Sequence, residues 1–221
     1  MQDTPFHPPF FLKHAYTQTI LASLNFRKWR NDSYLKHEKE MILKTDTGTQ
    51  LLGYYTPQTH RKGKGLVILL HGWEGSAHST YIVTCGNHLY KNGYHVFRLN
   101  FRDHGESHHL NPGLFYATLL DEVFQSVIQI SKLSDGAPVF LVGFSLGGNF
   151  AIRIAIRCRG DHDDVISKVV SISPVLDPDK ATYMIDNNPF ILRYFLKKWR
   201  RSLCIKQGLF PNLYDFPASC G

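Results

Sequence analysis

Strand-length apolar runs alternate with helix-length amphipathic segments between residues 65 and 173. Gly65–Leu70 is continuously apolar after its glycine, which is typical of a parallel strand that is covered on both faces. Three more strands, each preceded by a helix, are predicted at Tyr94–Asn100, Pro138–Val142 and Lys168–Ser173, with helices at Thr80–Asn92, Leu114–Leu133 and Leu146–Arg157. Upstream, Glu40–Thr45 and Gln50–Tyr55 flank a turn and predict an antiparallel hairpin. This order predicts an α/β fold, a mostly parallel sheet with helices on both faces.

The composition fits one globular domain and excludes several other classes. The chain has 221 residues, of which 43% are hydrophobic and 19% are charged, and these values exclude disorder and low complexity. No CxxC pair or Cys/His metal spacing joins the four cysteines Cys85, Cys158, Cys204 and Cys220, so we expect neither a disulfide scaffold nor a zinc module. No secretory signal is visible near Met1, and no apolar run approaches the roughly 18 residues of a spanning helix. We therefore expect a cytoplasmic protein with a single domain over residues 1–221.

A GxSxG motif, Gly143-Phe-Ser-Leu-Gly147, stands between the third predicted parallel strand and the helix that follows it. A nucleophile elbow needs this context, in which a tight turn after a buried strand holds the serine in a strained backbone conformation before a helix. The glycines leave room for neighbouring backbone, and the helix N-terminus brings a positive dipole end close to Ser145. The alternative is a glycine-rich turn without a catalytic role. The strand-to-helix context favours Ser145 as a nucleophile.

A serine nucleophile requires an oxyanion hole of backbone N–H groups. In this type of turn one donor is the residue after the serine, here Leu146, and the second comes from the loop after an earlier central strand. That loop is His71-Gly-Trp-Glu-Gly75, in which Gly72 and Gly75 allow the backbone to curl toward the elbow and Trp73 is the predicted donor. The alternative is an ordinary turn with a structural histidine. The place of the loop in the strand order favours the oxyanion role.

These motifs together resemble the α/β-hydrolase family, and in particular its YheT-type subfamily. Pro8–Ile20 is similar to the N-terminal signature of that subfamily, and Phe101–Ser107 contains the DHGES motif of many α/β-hydrolases. The resemblance implies a serine hydrolase of acyl esters that needs no metal or organic cofactor. It also implies that Asp103-His104-Gly105 is a structural turn, that residues 1–36 are an N-terminal extension and that a helical cap follows the sixth strand over residues 178–216.

The other members of a catalytic triad are missing from their expected places. In this fold an acid and then a histidine follow the serine along the chain. His162 is the one histidine after Ser145, and it lies in a polar turn that belongs at the opposite end of the sheet. Asp177 and Asp179 come one βα unit too early for the acid. We therefore expect a C-terminally truncated member without its last two βα units, which lacks esterase turnover by itself. The alternative is a catalytically incomplete α/β-hydrolase-like protein with a binding role or none.

Most of the net charge of +7 lies in the predicted cap. Six basic residues and no acid occur between Phe190 and Lys206, namely Arg193, Lys197, Lys198, Arg200, Arg201 and Lys206. On a helix an apolar stripe lies opposite the basic residues, and we expect Leu192, Phe195 and Trp199 of that stripe to face the sheet or the active-site cleft. The basic face is either simply solvated or makes peripheral contact with an anionic membrane.

The expected partner is a small acyl ester, with lipid-derived esters included. The aromatic side chains of the cap are compatible with an apolar acyl group, and they are equally compatible with a core role: Tyr183, Phe190, Tyr194, Phe195 and Trp199. The glycine spacing at Gly143–Gly148 matches neither a dinucleotide fingerprint nor a Walker loop, which excludes nucleotide binding. Nucleic-acid binding is not expected, because no recognition motif accompanies the basic charge.

Overall fold

The computed structural model describes residues 7–13, 33–59, 63–160 and 164–216. The strands in these ranges are β1 Lys39–Lys44, β2 Gln50–Thr56, β3 Leu66–Leu70, β4 His95–Leu99, β5 Val139–Phe144 and β6 Lys168–Ile172. The α-helices are α1 Thr80–Lys91, α2 Leu120–Ser131, α3 Leu146–Cys158, α4 Pro178–Asp186 and α5 Pro189–Leu209. Short 3-10 helices occur at Phe10–Leu12, Ser33–His37 and Lys132–Ser134. His162 and most of the predicted N-terminal extension, residues 1–36, lie outside the described residues.

The strands form one mixed sheet in the order β1-β2-β4-β3-β5-β6. The β1–β2 and β2–β4 pairs are antiparallel, whereas β3 pairs in parallel with β4 and β5, and β5 in parallel with β6. Helical crossovers connect the parallel strands, as the alternating sequence pattern predicts. The predicted α/β fold, a mostly parallel sheet with an antiparallel hairpin, is confirmed.

Strand β3 lies in the middle of the sheet and is buried on both faces. Leu66, Ile68 and Leu70 pack into the cluster formed with α2 and α3, and Val67 and Leu69 pack into the cluster formed with α1. Burial of one such side chain contributes about 1.5–3 kcal/mol. The two apolar faces explain why every position of this strand is hydrophobic, and they hold the end of β3 rigidly beside β5.

Helix α2 begins later than the sequence predicts. The apolar pattern predicts a helix from Leu114, but α2 starts at Leu120. The backbone N–H of Phe115 donates to Asp103 Oδ2 at 3.0 Å, and a turn closes from Leu119 N to Tyr116 O at 3.1 Å. The segment before α2 therefore satisfies its polar groups through tertiary contacts that no helical pattern in the sequence reveals.

Strand β6 is an edge strand in the part of the chain that the structure describes. It pairs with β5 from Phe140↔Lys168 to Phe144↔Ile172, and its other side has no partner strand in those ranges. Val170 and Ile172 are 51% and 40% exposed. An open apolar edge is a surface on which other strands can pair.

Candidate active site

Ser145 occupies a sharp turn between the last residue of β5 and the first residue of α3. Its backbone has φ +52° and ψ −113°, a conformation that side-chain-bearing residues rarely adopt and that costs of order 1–3 kcal/mol. Three backbone hydrogen bonds hold the turn: Ser145 N donates to Ile172 O at 2.9 Å, and Ser145 O accepts from Asn149 N at 3.0 Å and from Val175 N at 3.4 Å. The strand, the strained serine and the helix have the local geometry that a nucleophile elbow requires.

The glycines of the motif allow backbone segments to pass at contact distance. A Cβ atom on Gly143 would lie 2.1 Å from Gly147 O, and a Cβ atom on Gly147 would lie 2.5 Å from the carbonyl oxygens of Leu70 and His71. No real Cβ atom tolerates either contact. The elbow is therefore packed directly against the end of β3 and the loop that follows that strand.

The loop His71–Gly75 lies beside Ser145. An ideal Cβ on Gly72 would be 3.3 Å from Ser145 Cβ, which places the loop backbone next to the serine. Gly72 N donates to the hydroxyl of Tyr81 at 2.9 Å, and Gly75 N donates to Gly72 O at 2.9 Å. Tyr81 comes from the first turn of α1, and nothing in its local sequence pattern marks it as a partner of this loop.

His71 is fully buried and holds the loop as a neutral imidazole. Its Nε2 accepts from Phe101 N at 3.2 Å, so its Nδ1 carries the proton and donates to Gly72 O at 2.7 Å. Burial lowers the pKa of His71 well below its ordinary value, and the nearby His104 lowers this pKa further. Both ring nitrogens are engaged, which makes His71 a structural part of the loop.

His104 supports the same loop from the turn after β4. Its Nδ1 donates to Arg102 O at 2.7 Å, and its Nε2 accepts from Glu74 N at 3.2 Å. Burial lowers the pKa of His104 to about 4, so this imidazole is also neutral near pH 7. Glu74 has a positive φ of 54°. The second histidine therefore fixes a strained residue in the middle of the loop.

Some backbone N–H groups near the serine have no acceptor among the described residues. They include those of Trp73, in the middle of the loop, and of Leu146, the first residue of α3. The first N–H groups of a helix lack partners within the helix, which accounts for Leu146. The Trp73 N–H stands between two N–H groups that are bonded, since Gly72 N donates to Tyr81 and Glu74 N donates to His104.

Helix α5 lies across the loop through an aromatic stack and a lysine. The rings of Trp73 and Phe195 are parallel within 14°, with centroids 4.7 Å apart. Lys198 Nζ donates to Glu74 O at 2.9 Å. In contrast to the predicted orientation, Trp199 is 47% exposed. The helix is rotated so that the positions of Phe195 and Lys198, and not that of Trp199, make these contacts with the loop.

Further along α5 a buried charged pair joins the helix to the turn after β4. Lys206 Nζ lies 2.5 Å from Asp103 Oδ1 and also donates to the carbonyl oxygens of His108 and Asn111. Ser202 Oγ lies 2.8 Å from His108 Nε2. Burial raises the pKa of Asp103, and the Lys206 ammonium lowers it in part. The turn at Asp103 thus positions both α5 and the segment before α2.

The remaining triad candidates do not contact the serine in the described ranges. Ser145 Oγ forms no hydrogen bond there. Asp177 Oδ1 accepts from Lys180 N at 3.0 Å and caps the N-terminus of α4, and Asp179 lies in the first turn of that helix. No group of three or more His, Cys, Asp or Glu side chains suited to a metal ion occurs in the described residues, and no helix described is long and apolar enough to span a membrane.

Two named relatives share sequence with the chain. A Cyberlindnera fabianii protein named as an alcohol acetyltransferase is 32% identical over 132 residues, which cover 58% of this chain and 33% of the relative. A Synechocystis sp. protein named as an esterase is 23% identical over 210 residues, which cover 87% of this chain and 57% of the relative. The chain therefore spans about a third to somewhat more than half of the length of these relatives.

Solved structures share the fold. The Pyrococcus furiosus esterase Pf2001 superimposes with a TM-score of 0.56 at 24% identity and covers 78% of this chain and 67% of that structure. Est1E from Butyrivibrio proteoclasticus, solved with ferulic acid, gives a TM-score of 0.55 at 23% identity, over 65% of this chain and 56% of that structure. At these identities the likeness concerns the architecture.

The sequence model of the alpha/beta hydrolase fold matches residues 65–203. That range is more than half of the chain, and it includes both the loop at His71 and the elbow at Ser145. The match agrees with the observed strand order, in which the elbow lies at the end of β5 beside the central β3. The chain therefore belongs to the α/β-hydrolase fold family.

Proposed function

We propose that this protein is a serine hydrolase of carboxylic (acyl) esters, with Ser145 as the nucleophile. The backbone of Ser145 carries the proposal, because its φ of +52° at a strand-to-helix turn presents the side chain beside the loop at Gly72. The esterase names of the Synechocystis relative and of the Pyrococcus furiosus structure support acyl-ester chemistry. The motifs at Pro8–Ile20 and Gly143–Asn149 support membership of the YheT-type subfamily.

The proposed reaction proceeds through an acyl-enzyme. Ser145 Oγ attacks the ester carbonyl carbon while a base takes its proton, and the carbonyl oxygen becomes an oxyanion. The tetrahedral intermediate then collapses, and the alcohol leaves with the proton. Water attacks the acyl-serine in a second round, which releases the carboxylic acid and restores the hydroxyl of Ser145.

The N–H groups of Trp73 and Leu146 are the proposed oxyanion donors. The His71 ring and Gly75 N hold Gly72 O, and the N–H of Trp73 points the opposite way because the peptide between Gly72 and Trp73 is trans. This support fixes the donor before the substrate arrives. One preorganised donor contributes about 2.7–4 kcal/mol to the stability of the transition state.

The described residues do not supply the general base that would take the proton of Ser145. His71 and His104 both have two engaged ring nitrogens. A serine without its base retains only about 10³–10⁴-fold catalysis over water. We therefore propose that residues 1–221 alone lack robust turnover. The alternative, a catalytically incomplete α/β-hydrolase-like protein, predicts no Ser145-dependent turnover in any form of the protein.

An ester assay separates these possibilities. We would measure p-nitrophenyl acetate hydrolysis by residues 1–221 and by any longer form of the protein, each beside its Ser145→Ala variant. We expect turnover that requires Ser145 in a form that supplies the base, and residual rates in residues 1–221. Ser167→Ala, at an exposed serine, is the control and should change neither. Turnover that survives Ser145→Ala would rule out this nucleophile.

The proposed partners are a small acyl ester, lipid-derived esters included, and an anionic membrane surface. The membrane contact is supported by four exposed basic side chains on α5, namely Arg193, Lys197, Arg200 and Arg201. No acidic residue occurs in this helix, so no negative charge within the helix offsets these four positive charges. Basic amphipathic helices of this type bind anionic lipid through charge and partly buried apolar side chains.

A further inference from the structure

Three side chains from outside the loop His71–Gly75 bind its backbone polar groups. Tyr81 accepts from Gly72 N, and His104 accepts from Glu74 N. The third, Lys198, donates to Glu74 O at 2.9 Å. Tyr81 and His104 belong to the elements packed around the central sheet, whereas Lys198 belongs to helix α5. One of the three supports of the loop is therefore provided by the cap.

Glu74 has the strained backbone conformation in the middle of the loop His71–Gly75. It is a non-glycine residue at φ +54°, and a residue in this region costs of order 1–3 kcal/mol unless its surroundings stabilise it. Its N–H and its carbonyl oxygen are each bound by a side chain, His104 on one side and Lys198 on the other. Loss of the Lys198 bond removes one of these two hydrogen bonds.

Lys198 also faces a carboxyl group and an aromatic ring. Burial raises the pKa of the Glu74 side chain, and the Lys198 ammonium lowers it in part. The same Nζ lies 4.8 Å from the centre of the Tyr194 ring, and Phe195 on the same helix stacks on Trp73. Lys198 Nζ thus contacts the Glu74 carbonyl oxygen and the Tyr194 ring, whereas Lys197 beside it in the sequence is exposed.

We propose that Lys198 is a positioning residue, through which the cap helix α5 holds the loop His71–Gly75 with the N–H of Trp73 directed at Ser145. The inference rests on the proposed oxyanion role of Trp73. Lys198 touches the loop and not the reacting atoms, so it acts through the peptide groups around Glu74. The stack of Phe195 on Trp73 fixes the same loop from its side-chain face.

Hydrogen–deuterium exchange tests the support of the loop without any need for activity. We would compare Lys198→Met with Lys197→Met, a matched change one residue away on the exposed face. The amides of Gly72, Glu74 and Gly75 donate to acceptors within this assembly. We expect at least tenfold faster exchange in the loop for Lys198→Met and no change for Lys197→Met. Unchanged exchange in Lys198→Met would overturn the proposal.

Two further variants separate the hydrogen bond from the charge and guard against misfolding. Lys198→Gln keeps a donor without the charge, and Lys198→Met combined with Glu74→Gln removes both charges. In Lys198→Gln we expect the loop amides to exchange as slowly as in the unchanged protein, because the hydrogen bond to Glu74 O is retained. We expect fast exchange in the double variant, because that bond is lost. Fast exchange across the whole chain in every Lys198 variant would assign Lys198 to general stability and overturn the proposal.

Ester kinetics then link the loop to the reaction. In the form with Ser145-dependent turnover we expect Lys198→Met to lower kcat about tenfold, less than the 10²–10³-fold loss on removal of a whole donor, with KM within twofold. A raised KM at unchanged kcat would overturn the positioning role. If no form of the protein shows such turnover, the proposed function fails, while the exchange experiment still decides whether Lys198 holds the loop.

Discussion

At Gly147 the backbone of α3 touches the end of β3. The GxSxG motif predicts a glycine at this position because neighbouring backbone needs the space. The structure agrees, since a Cβ atom on Gly147 would lie 2.5 Å from Leu70 O and from His71 O. We predict that Gly147→Ala lowers the free energy of unfolding by about 1–3 kcal/mol, as overpacking does elsewhere, and abolishes ester turnover in the form of the protein that shows it. Both atoms that the added Cβ would meet belong to the backbone, which cannot move aside as a flexible side chain can.

Gly208 provides the control for this substitution. It lies in α5, and a Cβ atom there would meet nothing within 4 Å. Alanine is favoured over glycine in a helix by about 1 kcal/mol, so Gly208→Ala should be neutral or stabilising. Urea unfolding of the two variants measures the difference. Equal stability of Gly147→Ala and the unchanged protein would contradict the close packing of the elbow.

The roles of some residues could be predicted from the sequence, and the roles of others could not. Ser145 could be predicted because a motif and its strand-to-helix context coincide. Tyr81, which accepts from Gly72 N, could not, because a tyrosine at the start of a helix carries no sign of a distant backbone partner. The burial of Lys206 could not be predicted from the basic charge of its segment, because it depends on Asp103, far away in the sequence.

Among the elements, α5 shows why helix rotation is harder to predict than helix position. The amphipathic pattern located the helix, but it assigned Trp199 to the covered side. Polar side chains settle the rotation instead, since Lys198, Ser202 and Lys206 bond to the loop and to the turn after β4. A hydropathy pattern predicts that these polar residues face the solvent. The predicted rotation of the helix about its axis therefore differs from the observed rotation by about one residue position.

The exposed side of α5 leads to a prediction about lipid. We predict that the protein co-sediments with vesicles rich in phosphatidylserine and that binding weakens as salt is raised, because exposed charges are screened over about 8–10 Å. Neutralising Arg193, Lys197, Arg200 and Arg201 to Gln should abolish it. Neutral vesicles are the control. Binding to anionic vesicles that is indifferent to these four changes would eliminate the membrane contact.

For the whole molecule, the order of strands and helices was predictable because central parallel strands are apolar throughout. Strand β3, at the centre of the sheet, is the clearest case. The segment before α2 was not predictable in the same way, since its backbone bonds to Asp103, a residue of another loop. Local pattern thus identifies the layers of the fold, whereas the connections depend on contacts between segments that are far apart in sequence.

Buried neutral histidines make stability depend on pH. Burial lowers the pKa of His104 and of His108 to about 4, against about 6.5 in an unfolded chain. Between these values the unfolded chain binds protons that the folded protein does not. The free energy of unfolding should therefore fall as the pH drops below 6.5, by up to about 1.4 kcal/mol per pH unit for each group.

Urea unfolding at pH 7.5, 6.5 and 5.5 measures this dependence. His108→Gln removes one titrating group and keeps an amide that can bond to Ser202, so the loss of stability toward pH 5.5 should be smaller. His109→Gln, at the exposed neighbouring position, is the matched control for the substitution. A His108→Gln protein with the original slope would show that the ring of His108 does not remain neutral in the folded state.

The buried Lys206–Asp103 pair limits how helix α5 can move. Separating the two charges would leave both in a nonpolar environment, at a cost of about 3–5 kcal/mol. Nearer the start of the helix, the attachment to the loop is an aromatic stack and one hydrogen bond, worth about 1 kcal/mol each. Lys198 and Lys206 lie about 12 Å apart along the helix axis. Helix α5 is therefore attached more firmly at Lys206 than at its contacts with the loop His71–Gly75.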